Sequence, residues 1–217
     1  MNRVTLAALP LPRTPASAAA LEVARSYQST ALLHHTLRSY LWAAARGEAE
    51  GVAYDAELLY VAALFHDLGL VPAFDSHTVP FEEAGGHVAR VFAAGAGWPT
   101  QRRDRLAEVI VRHMGPPVAA AADPEGHLLA RATATEITGA GADDYPADFR
   151  SEVLERYPRL ELAEQFLACF RDQAARKPDG AAAHAVRSDL AARMAANPLD
   201  APARGPAAPG SRARPGP

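Results

Sequence analysis

The sequence is short of thiols and amines. Cys169 is its single cysteine and Lys177 its single lysine. One thiol makes neither a disulfide within the chain nor a cysteine-based zinc site, so any metal here is held by nitrogen and oxygen. A lone lysine argues against a catalytic lysine and against a phosphate-binding loop. Positive charge is not in excess either: the formal net charge is −3, which provides no field for nucleic acid or an anionic membrane surface. No apolar run approaches the roughly 18–20 residues of a membrane-spanning helix. The start, Met1 to Leu9, imitates a signal peptide only faintly, because its apolar stretch is short and Pro10, Pro12 and Pro15 interrupt it. The expectation is a cytoplasmic chain.

What is present is apolar surface and histidine. Of the 217 residues 49% are hydrophobic, enough for one domain with a proper core. The apolar spacing is helical almost throughout, and no alternating strand pattern appears. Helices are predicted from about Leu21 or Ser29 to Arg46 with Gly47 as the stop, and from Asp55 to Asp67. Further ones run from Pro80 to about Gly95 and from Thr100 to Met114, closed by Gly115-Pro116-Pro117. The rest fall near Glu125–Thr138, Ala147–Arg156, Arg159–Arg176 and Ala182–Ala196. The expected organisation is an extended segment over 1–20, a single all-α domain over 21–197, and a disordered Pro/Ala/Gly/Arg tail over 198–217, which has almost no large apolar side chains to offset its ordering entropy.

Ionisable residues recur on the apolar stripes of these helices. His35 follows Ala31 and Leu32, His66 follows Leu59, Ala62 and Ala63, and Glu136 follows Leu129, Ala132 and Thr133. His87 shares a predicted face with Ala84, Val88 and Val91, and His113 one with Leu106, Val109 and Ile110. Burying several unpaired ionisable groups costs several kcal/mol each by rough desolvation estimates. A shared cation would partner all of them, and Asp67, beside His66, can reach the same point. A hydrogen-bonded core histidine is the alternative reading for each ring taken singly. His34, His77, His127 and His184 fall on loops, ends or outward positions and are read as solvated.

His35 in His34-His35-Thr36-Leu37-Arg38, the doublet in Ala63-Leu64-Phe65-His66-Asp67-Leu68-Gly69, and the acid in Ala132-Thr133-Ala134-Thr135-Glu136-Ile137-Thr138-Gly139 together resemble the HD-domain metal-dependent hydrolase superfamily. Within it the chain is most similar to cyanamide hydratase and its bacterial relatives. The matching features are Leu9 to Pro15, Phe81-Glu82 with Gly85-Gly86, Val109 to Met114, Tyr157-Pro158-Arg159 and Arg176-Lys177-Pro178. Two positions depart from the pattern. Glu136 stands where the family has aspartate, and His87 occupies a position often small or acidic in the hydratase-like relatives.

The resemblance implies an all-α HD bundle with a metal site in its core. The ligands would be His35, His66, Asp67 and Glu136, with His87 and His113 as candidates for a second ion. Zinc is expected for one ion, iron or manganese for two. It implies an enzyme in which hydroxide generated at the metal adds to a small nitrile-type carbon such as that of cyanamide. Asp67, His113 and Glu82 would move protons, and Arg38, Phe74 and Met114 would meet substrate beneath a roof formed by the loop from Val71 to Val79. The competing readings are a phosphohydrolase using Arg38, Arg90 or Arg112 as phosphate clamps, a diiron oxygenase, and an inactive regulatory module. The expected partner is a small molecule, with no nucleic acid and no membrane. The apolar faces from Arg159 to Ala196 would serve the core or a homo-oligomer equally.

Overall fold

In the computed structural model, which describes residues 5–200, the chain is a bundle of α-helices, with no strand among the described residues. The helices are α1 (Pro15–Tyr27), α2 (Thr30–Glu50), α3 (Ala56–Phe65), α4 (Phe81–Gly95) and α5 (Thr100–Arg112). They continue as α6 (Pro124–Thr138), α7 (Ala147–Arg156), α8 (Leu162–Arg176), α9 (Ala181–Arg187) and α10 (Leu190–Ala195). None is long and apolar enough to cross a membrane among the described residues.

The first segment is less extended than its prolines suggest. Thr14 caps α1 reciprocally with Ser17, and Pro15 takes the first helical position, where its missing N–H costs nothing. The single first helix expected from the sequence is two helices, broken at Gln28-Ser29. Gln28 leaves helical geometry and donates from Nε2 to the Leu64 carbonyl at 2.7 Å, while the Ser29 side chain accepts from the Leu32 amide and restarts the chain as α2. Gly47 does not stop α2. The helix runs on to Glu50 and turns at Gly51, whose φ of 66° is left-handed. At the other end, the first three residues of the predicted tail are folded: Pro198–Asp200 is a 3₁₀ turn with Leu199 buried. The remainder of the predicted tail lies outside the described residues.

The centre of the bundle is α3, buried without interruption from Leu58 to Phe65. A helix apolar on all sides has no solvent face to present, so α1, α2, α4, α5 and α6 pack around it. A second, smaller apolar cluster draws Leu162, Phe166, Phe170, Ala182, Leu190 and Met194 from α8–α10 onto Ala31, Phe81 and Ile137. The C-terminal helices therefore close over one end of the bundle. That end holds the ionisable groups of the sequence pattern.

Candidate metal centre

His66 and Asp67 sit where α3 stops. His66 is the C-cap of the helix and Asp67 precedes a 3₁₀ turn, Leu68–Leu70. The turn is pressed against the start of α4: a Cβ on Gly69 would lie 2.0 Å from the Phe81 carbonyl oxygen, so only glycine fits. His113 is likewise the C-cap of α5. Both rings thus stand at helix C-termini, where the backbone dipoles favour positive charge.

Three ligand atoms converge. His35 Nε2 lies 3.1 Å from His66 Nε2 and 3.2 Å from Asp67 Oδ2, and His66 Nε2 lies 3.1 Å from the same oxygen. The backs of the rings are already committed. His66 Nδ1 donates to the Ala63 carbonyl at 2.7 Å, His35 Nδ1 faces Glu136 Oε2 at 3.2 Å, and His113 Nδ1 meets the Ile110 carbonyl. With their protons on Nδ1, the rings turn Nε2 lone pairs toward one another and toward a carboxylate. That arrangement is repulsive unless positive charge lies among them. Asp67 carries the same message: it is fully buried, and neither of its oxygens accepts a hydrogen bond of good geometry. Two nitrogens and a carboxylate oxygen gathered in this way suit a divalent cation held by imidazole and carboxylate.

The protonation states fit that reading. Burial pushes the Asp67 carboxyl up, but His66 and His35 outweigh it and hold it well below the usual carboxylate range. Burial lowers the His35 pKa, yet Asp67 and Glu136 together carry it above its ordinary value. The position draws positive charge, which a proton or a metal ion supplies. His113, whose Nε2 is 3.8 Å from Asp67 Oδ1, is pushed down to about 4 by burial and by neighbouring His66, so its ring is neutral with a free lone pair at Nε2.

Glu136 is the principal correction to the sequence reading of the site. It lies on the opposite side of His35 from the convergent ligand atoms. Arg38 donates to it through Nε and Nη2 at 2.9 and 2.7 Å, Trp42 through Nε1 at 2.6 Å, and Arg159 through Nη1 at 3.3 Å. His35, Arg38 and Trp42 follow one another along a single face of α2, which is why one carboxylate meets all three. Burial raises the Glu136 carboxyl, but Arg38, then His35 and Arg159, hold it below the ordinary range. It remains ionised, fixes the His35 proton on Nδ1 and leaves Nε2 for a metal, which is the supporting role that carboxylates take behind ligating histidines. Arg38, also bound to the Tyr157 and Pro158 carbonyls, is fully buried and does not line the cavity beside the ligand cluster, so it is not placed to meet substrate.

Other expected site residues fall elsewhere. His87 is exposed on the outer side of α4. The buried face of that helix is Phe81, Gly85, Ala89 and Ala93, whereas Val91, on the predicted inner stripe, is 74% exposed. Glu82 is buried with Oε2 unpartnered, and burial raises its carboxyl, but it does not line the cavity beside the ligand cluster. Phe74 packs on Tyr27 with ring centroids 4.7 Å apart and is also absent from that cavity. Arg90 pairs with Asp104 and Arg112 with Asp123.

The cavity next to His35, His66 and Asp67 has a volume of about 170 Å³. His113 and Met114 line it as anticipated. Its other walls are Thr133 and Ile137 of α6, Phe166 and Phe170 of α8, and Leu190 and Arg193 of α10. The roof is therefore α8–α10 and not the loop after the doublet, which is instead tied to α8 by Asp75 contacts to Gln173, Arg176 and Lys177. Arg159, Asn197 and Arg193 were missed in the sequence reading. Arg159 follows Tyr157-Pro158 and precedes Leu160, whose φ of 51° is a left-handed turn that carries strain. The turn aims Arg159 at Glu136, and Asn197 donates to the Glu136 carbonyl at 2.9 Å. A buried glutamate needs cations around it, and that requirement was the available signal.

No curated protein matches this chain. A family model does, that of the HD domain, over residues 32–138. The matched stretch begins just before His35 and ends two residues after Glu136, spanning the ligand cluster and the residue that supports it. Over residues 32–138 the chain is similar to the HD domain, the unit of a metal-dependent hydrolase-type superfamily, and this match supports its place there.

Proposed function

We propose that this chain is a metal-dependent hydratase or hydrolase of small molecules, adding water to a nitrile-type carbon such as that of cyanamide. The observation that carries the reading is the cavity: about 170 Å³ beside the His35-His66-Asp67 cluster, against the roughly 300–1,000 Å³ of sites that enclose drug-sized or nucleotide-sized ligands. A divalent ion, zinc by preference for this donor set, would supply Lewis-acid activation of water.

The chain's own residues would do the rest. His35, His66 and Asp67 hold the ion, and Glu136 keeps His35 in the tautomer that can bind it. His113 offers a neutral Nε2 on the cavity side of Asp67, in position to take a proton from water and return it to the substrate nitrogen. Met114, Ile137, Phe166 and Phe170 exclude bulk water around the reacting carbon.

The residues named for the competing readings are engaged or exposed elsewhere. Phosphoester hydrolysis called on Arg38, Arg90 and Arg112, all paired elsewhere. A dinuclear oxygenase called on His87, which is exposed. The test is urea formation from cyanamide by untagged protein of measured metal content. One zinc per chain with urea produced, and activity lost on chelation and restored by zinc, is the expected result. Full zinc occupancy without urea at millimolar cyanamide rejects cyanamide as the substrate, and two irons per chain would reinstate the oxygenase.

A further inference from the structure

The same cavity contains one cation, and it is unpaired. Arg193 lines it together with His35, His66, Asp67 and His113, and its guanidinium has no ion-pair or hydrogen-bond partner among the described residues. The side chain is exposed toward solvent, but its backbone is held firmly. Leu190 and Met194, three positions before it and one after, are buried in the C-terminal cluster. Asp189, at a φ of 60°, breaks the chain between α9 and α10 and sets the direction of α10. Beyond α10, Asn197 is fastened to the Glu136 carbonyl, and Arg159 pairs with Asp200. The neighbouring basic residue behaves differently: Arg187 is spent on the Pro178 carbonyl and on His184. Neither Arg187 nor Arg159 lines the cavity, whereas Arg193 does.

From this placement we infer that Arg193 is an anion-binding subsite, and that the substrate is a small molecule with a carboxylate at the end remote from the reacting carbon. The inference rests on the small-molecule reading above and narrows it. A guanidinium offers two parallel N–H donors that match the two oxygens of a carboxylate. In the metal-free cavity one guanidinium balances one negative charge; a phosphate dianion would leave a second charge uncompensated against apolar Ile137, Leu190 and Phe170. The hydroxyls of the wall are spent, since Thr133 and Thr138 give their protons to the Ala130 and Ala134 carbonyls at 3.1 and 2.9 Å. Arg193 is thus the cavity's one strong donor for an anion. Cyanamide, being neutral, would be bound without this contact.

The test uses binding, so that it does not depend on turnover. Butanoate, its neutral counterpart butanamide, and inorganic phosphate are titrated calorimetrically into the full chain, with and without zinc, in the wild type and in Arg193→Ala and Arg193→Lys. Butanoate should bind the wild type roughly tenfold more tightly than it binds Arg193→Ala, the scale of one charge-assisted pair. Arg193→Lys should fall between them, and butanamide should be weak and insensitive to the substitution. Because the side chain is exposed, circular dichroism should show all three proteins folded alike. Equal butanoate affinity in wild type and Arg193→Ala overturns the subsite, and so does phosphate binding tighter than butanoate to the metal-free wild type. Absence of zinc uptake by the wild type would defeat the metal reading alone; an Arg193-dependent preference for butanoate in the metal-free protein would still stand.

Discussion

His35 lies between two buried carboxylates that the fold treats in opposite ways. On its Nδ1 side, Glu136 is enclosed by two arginines, a tryptophan indole and the ring itself. On its Nε2 side, Asp67 is equally buried but accepts no well-formed hydrogen bond and faces imidazole nitrogens instead. A carboxylate supplied with every donor it needs is a structural and orienting group. One left without them is held ready for a cation that comes from outside the chain. The contrast separates the two acids of the sequence pattern into a candidate ligand and a residue that faces the far side of His35, although both read as ligands in the linear sequence.

The largest effect expected from breaking this contrast is at Asp67. Asp67→Asn should abolish metal retention, measured as metal per chain after gel filtration, by more than the roughly 10–100-fold that a supporting residue commands. The metal-free variant should lose far less stability in a denaturant melt than Glu136→Gln does, since Asp67 accepts no well-formed hydrogen bond and only its charge is removed. Glu136→Gln should behave the other way round. It leaves Arg38 buried without its counter-charge and Arg159 with Asp200 alone, a loss of about 3–5 kcal/mol in a denaturant melt, while metal affinity falls by only about 10–100-fold through the loosened His35. If Glu136→Gln instead matched Asp67→Asn in losing metal at little cost in stability, Glu136 would be a ligand after all.

The smallest effect sharpens the comparison by supplying a carboxylate caged by arginines far from the cluster. Asp123 caps α6 through the Gly126 amide at 2.8 Å and pairs with Arg105 and Arg112. Burial raises its carboxyl, but Arg105, the Gly126 amide and Arg112 hold it below its ordinary value of 3.8. Its contribution is therefore complete above that value and is lost as pH falls through the lowered folded-state pKa. Both arginines are partly exposed, so screening keeps the contribution small. Asp123→Asn should cost about 1 kcal/mol at neutral pH. The difference from wild type should shrink in melts taken below pH 3.8, with no change in metal content at any pH where both proteins are folded.

Most helices and the doublet were legible because both are local. The breaks were less so. Gln28 leaves helical geometry where its side chain bonds the Leu64 carbonyl, far off in the chain, and Asp189 turns left-handed without a glycine to announce it. The phase of α4 was misjudged for a related reason: its inner face carries Gly85, Ala89 and Ala93, small residues chosen for close approach, and these look less like a core stripe than the exposed Val91 does.

By itself the sequence determined an all-α bundle, a thiol-poor set of possible ligands, and the His35, His66 and Asp67 triplet, because helical periodicity and residue chemistry are properties of short stretches. Only the tertiary structure decided which side of His35 Glu136 would occupy, that His87 would face outward, and that Arg193 would reach the cavity. Those outcomes depend on how helices distant in sequence are rotated and brought together. Burial then sets the charge state of each group, by what the packed neighbours can or cannot donate.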